Sequence, residues 1–269
     1  MSETQIQKIA DQLDEALRDA RSIPPIVDQL QAGDVDTAYA IQEINTARAL
    51  AEGRRLVGRK IGLTSQKVQA QLGVDQCDFG MLFADMSVDE NGTVPFGKLI
   101  QPKVEAEIGF VLKSDLTEGA LTLVDIVNAI DYAVPCLEIV DSRIADWQIS
   151  IVDTIADNAS SGLFVTGTEK VDISALDLRL CGMVIELDGE PVSLGAGAAC
   201  LGNPLNAVKW LAETMVRSGR PLKAGDLVLS GALGPMFPAK PGDSFEARIS
   251  GLGSVRVQFE TDTALAETA

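Results

Sequence analysis

Val104-Glu105-Ala106-Glu107-Ile108-Gly109-Phe110-Val111-Leu112 reads as a β-strand, being rich in β-branched and apolar residues, with its two glutamates set two apart. Ala133–Val140 and Gly162–Val165 have the same character and predict two further strands. Working toward the C-terminus, Met183–Leu187 and Pro191–Leu194 flank Asp188-Gly189-Glu190, a hairpin signal. Asn203-Pro204 opens a helix with Leu205, Val208, Leu211, Ala212 and Met215 inward, closed by Gly219. Leu227–Ser230, Phe245/Ala247/Ile249 and Val255/Val257/Phe259 then give more strands, the last two half-buried by their alternation. Toward the N-terminus the pattern is helical. Ser2 and Gln5 form a capping box ahead of Ile6, Ile9, Leu13 and Leu17, and Pro24-Pro25 breaks the chain. Asp36 is placed to cap a second helix with Ala40, Ile41, Ile44 and Ala47 inward and Gly53 beyond its end. The expected class is α+β: a helical lobe over residues 1–55 and a strand-rich domain over 56–269.

Composition narrows the function. Apolar residues make up 46% and charged residues 23% of the 269, as in a folded globular protein. With 22 basic and 39 acidic residues the net charge is −17, a field that repels phosphate backbones and acidic membranes, so neither nucleic acid nor membrane is an expected partner. An acidic substrate would need a local cation to reverse that field. The polar start Met1-Ser2-Glu3-Thr4 and the lack of a long apolar run point to a cytoplasmic protein. Cys77, Cys136, Cys181 and Cys200 show no C-x-x-C pairing and read as free thiols. There is no histidine. That excludes a Ser-His-Asp triad, a Cys-His pair and an imidazole-ligated zinc site, leaving carboxylates, Lys, hydroxyls, backbone groups or a hard metal to do the chemistry.

Glu105 and Glu107 would leave the same face of their strand, Cα atoms about 6.5–7 Å apart, close enough to share one ion. Alone, such a pair is more often the wet face of a strand. Glu138 shifts the balance, because it lies in an otherwise apolar strand where an unpaired carboxylate is costly. It needs a proton, a partner such as Arg143 or a Lys, or a metal. Three carboxylates without imidazole or clustered thiolates favour Mg²⁺ or Mn²⁺. Lys60 sits between Gly58 and Gly62, where it is either a surface cation or a group for a substrate carboxylate. Asp78-Phe79-Gly80 spells a kinase magnesium motif, but no histidine exists for a kinase catalytic loop, so Asp78 is left as a general acid/base or a loop cap. Gly195–Cys200 lacks the third glycine of a dinucleotide fingerprint. Asp157–Gly162 and Ser230–Pro235 are small turns whose N–H groups suit a carboxylate or oxyanion.

In order, the chain carries G-R-K-I-G-L-T (58–64), D-F-G (78–80), Q-P-K-V-E-A-E-I (101–108), P-C-L-E-I-V-D-S-R (135–143), D-N-A-S (157–160) and S-G-A-L-G-P (230–235). This set resembles the 2-keto-4-pentenoate hydratase family of the fumarylacetoacetate hydrolase superfamily, over essentially the whole chain. The resemblance implies a mixed β-roll core, a divalent metal (Mg²⁺ or Mn²⁺), a homo-oligomer and a role in meta-cleavage of aromatic compounds. It makes Glu105, Glu107 and Glu138 the metal ligands, Lys60 the active-site lysine and Asp78 the acid/base. Ser160 falls near the substrate carboxylate, and Gly231 and Leu233 are the substrate-binding candidates of the S-G-A-L-G-P loop. The implied reaction adds water to a 2-hydroxydienoate to give a 4-hydroxy-2-oxo acid, with 4-oxalocrotonate decarboxylase as the alternative within the same family. Loops at Asp78–Asp85 and Ser230–Phe237, bearing Phe79, Met81, Leu82, Phe83, Leu233, Met236 and Phe237 and no Lys or Arg, are expected to make an apolar far end to the pocket, favouring hydration.

Overall fold

The computed structural model describes residues 1–30 and 33–261. Its helices are α1 (Glu3–Arg18), α2 (Val35–Ala51), α3 (Gln66–Leu72), α4 (Leu123–Ala129), α5 (Ile151–Ala156) and α6 (Pro204–Arg217). The strands are β1 (Leu56–Gly62), β2 (Asp78–Phe83), β3 (Ser87–Val88), β4 (Thr93–Val94), β5 (Lys103–Leu112), β6 (Ile130–Val140) and β7 (Ser161–Thr166). They continue with β8 (Gly182–Leu187), β9 (Glu190–Ala196), β10 (Leu227–Leu229), β11 (Phe237–Pro238), β12 (Ser244–Ile249) and β13 (Gly253–Phe259). One mixed sheet runs β2-β1-β10-β5-β6-β7-β3, with β11 added on β5; the other runs β4-β13-β12-β8-β9. β1 pairs with β10, and β3 with β7, in parallel. The α+β roll with a helical N-terminal portion is what is found.

The pairing of β5 with β6 is the spine of the molecule. Its register sets Glu105 opposite Glu138, Ala106 opposite Leu137 and Glu107 opposite Cys136. Because side chains alternate, Val104, Ala106, Ile108 and Phe110 take one face and the glutamates the other. The apolar set is fully buried in a core shared with Phe245, Val255, Val257 and Phe259 of the second sheet. The hairpin between β8 and β9 turns through Asp188 (φ 51°) and Gly189 (φ 90°), left-handed at both positions as a tight two-residue turn requires.

A smaller apolar cluster joins Ile9, Leu13, Ala38 and Ile41 of the N-terminal helices to Ile144, Val152 and Ile155 around α5. Several local expectations change here. Leu17 is 44% exposed, the inward face of α1 being Ile9, Ala10, Leu13 and Ala16. Asp34, not Asp36, caps α2, since its carboxylate reaches the amide of Thr37. The buried face of α2 is Ala38, Ile41, Gln42, Thr46 and Ala49, while Ala40 and Ala47 face solvent. Asp78–Phe83 is a strand buried along its whole length rather than a loop. All four cysteines are free and buried.

Candidate active site

Lys60, Asp78, Glu105, Glu107 and Glu138 converge, although they come from β1, β2, β5 and β6. Glu105, Glu107 and Glu138 each bring a carboxylate oxygen within 4.8 Å of the others. Glu107 and Glu138 are 0% and 1% exposed, and Glu105 is half-buried, so the cluster opens toward the Glu105 side. Lys60 Nζ lies 3.0 Å from Glu138 Oε1, a buried ion pair. The two flanking glycines are explained by close approach. A Cβ at Gly58 would lie 2.0 Å from the Leu227 carbonyl oxygen, and one at Gly62 2.1 Å from Asp78 Oδ1. Arg143, a possible partner of Glu138 from sequence, instead pairs with Asp157.

Charge in this pocket is not balanced by the protein. Burial first, and then the charge of Glu138, push the Glu105 carboxyl up to about 7 and Glu107 well above the usual carboxylate range. Burial also raises Asp78, opposed by Lys60 and Thr154. On Lys60, burial works against the charge, but Glu138, Asp78, Glu105 and Glu107 outweigh it and its pKa ends above the ordinary lysine value. Lys60 therefore stays an ammonium. Four carboxylates face one buried ammonium, with Lys103 acting on Glu105, and Glu107 Oε1, both oxygens of Glu138 and Asp78 Oδ1 are buried without a hydrogen-bond partner. The Lys60–Glu138 contact is thus Coulombic in distance without the directionality of a hydrogen bond. Buried carboxylate oxygens left free and gathered on one point are what a hard, oxygen-ligated divalent cation satisfies, so the donor set fits Mg²⁺ or Mn²⁺.

The loop residues make hydrogen bonds within the protein. The Gly231 amide donates to Glu107 Oε2 at 2.7 Å, fixing that carboxylate. Leu233 is fully buried, its amide donating to Ala106 O and its carbonyl accepting from Ala196 N–H. Neither amide is free for an incoming carboxylate. Ser160 is buried in a turn where Asn158, Ala159 and Ser160 all have φ between 51° and 54°. Its hydroxyl lies 3.2 Å from Thr154 Oγ1, which donates to Asp78 Oδ2 at 3.2 Å. Three of the aromatic side chains expected at the far end of the pocket have packing partners of their own. Phe79 stacks on Tyr39 at 4.5 Å, Phe83 lies under the Arg54 guanidinium and Phe237 packs on Phe245.

Sequence reasoning missed three contributors. Thr154 sits on α5, whose S-x-x-D start (Ser150, Asp153) is a capping box and a usable signal. Gln42, 3% exposed on α2, carries no sequence signal. Lys103 stands two residues before Glu105, with its ammonium 4.1 Å from the Trp147 ring centre.

Comparison with known proteins identifies the family. Residues 64–260 match the family model described as fumarylacetoacetate (FAA) hydrolase C-terminal. The chain is 61% identical over 244 residues to 2-keto-4-pentenoate hydratase 1 of Dechloromonas aromatica (strain RCB), covering 91% of this chain and 93% of that one. It is 57% identical over 262 residues to 2-keto-4-pentenoate hydratase of Paraburkholderia xenovorans (strain LB400), covering 97% of each. Among solved structures, 4-oxalocrotonate decarboxylase from Pseudomonas putida G7, complexed with magnesium and adipate, superimposes with a TM-score of 0.93 at 37% identity, covering 96% of this chain and 98% of that one. Identity of this extent over nearly the full length, together with the family match, leads to one assignment: the chain belongs to the 2-keto-4-pentenoate hydratase family of the fumarylacetoacetate hydrolase superfamily.

Proposed function

We propose that this protein is a metal-dependent hydro-lyase that adds water to 2-hydroxypenta-2,4-dienoate, or to an alkyl-substituted 2-hydroxydienoate, giving a 4-hydroxy-2-oxo acid in meta-cleavage degradation of aromatic compounds. The observation that carries it is the buried cluster of Glu105, Glu107 and Glu138 with Lys60 and Asp78 beside it. A divalent ion held by the three glutamates, Mg²⁺ or Mn²⁺, supplies positive charge where negative charge grows on the substrate's C2 oxygen. Lys60, held charged by its carboxylate neighbours, meets the substrate carboxylate or the developing enolate. Asp78 keeps Oδ1 free of hydrogen bonds and burial raises its carboxyl pKa, which suits a group that gives and takes protons. As the enol ketonises, the 2-hydroxyl loses its proton and C5 gains one. The resulting C3–C4 double bond, conjugated with the 2-oxo group, accepts water at C4 while C3 is protonated. Asp78 is placed to serve these transfers, with Ser160 close by through Thr154.

Decarboxylation of 4-oxalocrotonate is the second reading, and Lys103 favours it. It lies on the Glu105 face of β5 and could meet a second substrate carboxylate. What favours hydration is the higher identity to the hydratases, 57–61% against 37% for the decarboxylase. A homo-oligomer working in the cytoplasm is part of the same proposal. No helix among the described residues is long and apolar enough to cross a membrane. The test is product analysis with Mg²⁺ or Mn²⁺, offering 2-hydroxypenta-2,4-dienoate and 4-oxalocrotonate separately. Formation of 4-hydroxy-2-oxopentanoate from the first is expected; rapid CO₂ release from the second with no hydration of the first would overturn the proposal.

A further inference from the structure

Asp78 is held from two directions by residues outside the metal cluster. Thr154 Oγ1 donates to Asp78 Oδ2 at 3.2 Å and lies 3.2 Å from Ser160 Oγ. Since its one proton goes to Asp78, the Thr154 oxygen is left to accept from Ser160, so the chain of donors runs Ser160 to Thr154 to Asp78. Behind it, the Gln42 side-chain amide donates to Phe79 O and to Ile155 O, both at 2.9 Å. Phe79 follows Asp78 and Ile155 follows Thr154 in sequence, so one buried amide from α2 ties the backbone that carries the carboxylate to the backbone that carries the hydroxyl. Asp153, the residue before Thr154, accepts the amides of Ile26 and Val27 through Oδ1 and that of Ser150 through Oδ2. The short helix α5 is thereby anchored to the N-terminal segment. Asp78 Oδ1 has no partner.

We propose that Thr154 is the positioning residue of Asp78, with Gln42 fixing the distance between them: the Thr154 hydroxyl engages Oδ2 so that Oδ1 alone is presented to the substrate. This rests on the hydratase reading in giving Asp78 the proton transfers. It also gives the N-terminal helices a part in the chemistry, since α2 sets the spacing of two groups on other elements. A threonine suits this role better than a serine or valine: its methyl group restricts χ1, and its hydroxyl gives the carboxylate one hydrogen bond and takes another.

The experiment compares the parent with Thr154→Val, which keeps the shape and loses the hydroxyl, and Thr154→Ser, which keeps the hydroxyl. With Mg²⁺ and 2-hydroxypenta-2,4-dienoate, Thr154→Val should lose up to about 100-fold in kcat, the scale of a misplaced reacting group, with KM and Mg²⁺ affinity unchanged. The kcat limb governed by Asp78 should move to higher pH, because the lost hydrogen bond is one that lowers its pKa. Thr154→Ser should restore most of both. An unchanged kcat and limb in Thr154→Val, or a Thr154→Ser variant as slow as the valine, would overturn the inference while leaving the hydratase reading intact. If the parent itself hydrates no dienoate, the reading falls instead. The inference is then judged by ¹³C NMR titration of Asp78 in the Mg²⁺-loaded proteins: an upward shift in Thr154→Val supports it, and coincident curves refute it.

Discussion

Two buried charge clusters lie close together in this molecule, and they are built on opposite principles. Around Arg143 everything is closed. Its Nε pairs with Asp157 Oδ1 and its amide donates to Asp157 Oδ2; Nη1 reaches Asp141 O and Ser161 O, and Nη2 reaches Asp157 O. Around Glu138 almost nothing is closed: one buried ammonium lies beside four carboxylates, and four of their oxygens have no hydrogen-bond partner. The first cluster clamps both ends of the left-handed turn at Asn158–Ser160 and is part of the fold. The second is left unsatisfied by the protein alone, as the proposed ion site requires. Burial of charge is common to both, so burial alone does not mark a site; unsatisfied burial does.

The largest expected effect comes from breaking the closed cluster. Arg143→Met leaves Asp157 as an uncompensated buried charge and strands three carbonyl oxygens, Asp141 O, Ser161 O and Asp157 O, at a cost of about 3–5 kcal/mol. Thermal denaturation with Mg²⁺ present should show a melting temperature lower by on the order of 10 °C. A loss under about 1 kcal/mol would mean the turn is held by its own packing, since a surface ion pair is worth no more than that.

Breaking the open cluster should do the reverse. Glu107→Gln keeps the shape and the Gly231 hydrogen bond but removes a charge from the ion-binding set. Outer-shell partners of metal ligands typically cost 10–100-fold, so a ligand itself should cost more than about 100-fold in kcat/KM and Mg²⁺ affinity. In EDTA the variant should melt no lower than the parent, because one member of a repelling group is gone. Mg²⁺ dependence identical to the parent, or a stability loss like that of Arg143→Met, would erase the distinction between the two clusters.

The open cluster was the more legible of the two in sequence. Glu105 and Glu107 declare a shared face by their spacing, and Glu138 stands out because its neighbours are apolar; both signals are local. The supporting contacts are not. Gln42 reaches Phe79 and Ile155 across 37 and 113 residues, and Thr154 reaches Asp78 across 76. No periodicity predicts such meetings. D-F-G-M-L-F reads as a loop in sequence because a strand buried on both faces has no alternation to betray it. The S-G-A-L-G-P turn reads as a source of backbone amides, but sequence does not tell which are already used, and Gly231 and Leu233 donate theirs to Glu107 and Ala106. Asp34 and Asp36 are both credible caps in sequence; the reach to Thr37 decides between them.

The smallest expected effect tests whether the open cluster is poised for a cation, and it comes from pH. The folded-state pKa of Glu105 is raised from an ordinary 4.5 to about 7, and that of Glu107 is raised well above it. The folded, ion-free protein therefore holds more protons than the unfolded chain from about 4.5 upward, and its stability falls as pH rises through that window. At pH 5.5 Glu105 holds a proton that Mg²⁺ must displace; at pH 8 that proton is gone and the ion meets one more bare carboxylate. Mg²⁺ at about 100 times its Kd would add about 2.7 kcal/mol, or roughly 5–10 °C in melting temperature, at pH 8. The same Mg²⁺ concentration should add clearly less at pH 5.5, because binding there is coupled to proton release. Melting curves with EDTA or Mg²⁺ at both pH values measure the difference. Glu107→Gln should show little Mg²⁺ effect at either pH, and Arg143→Met should keep the parent's Mg²⁺ increment although it melts lower throughout. An equal Mg²⁺ increment at pH 5.5 and 8 in the parent would mean that these carboxylates titrate normally and that the cluster is not the open one described.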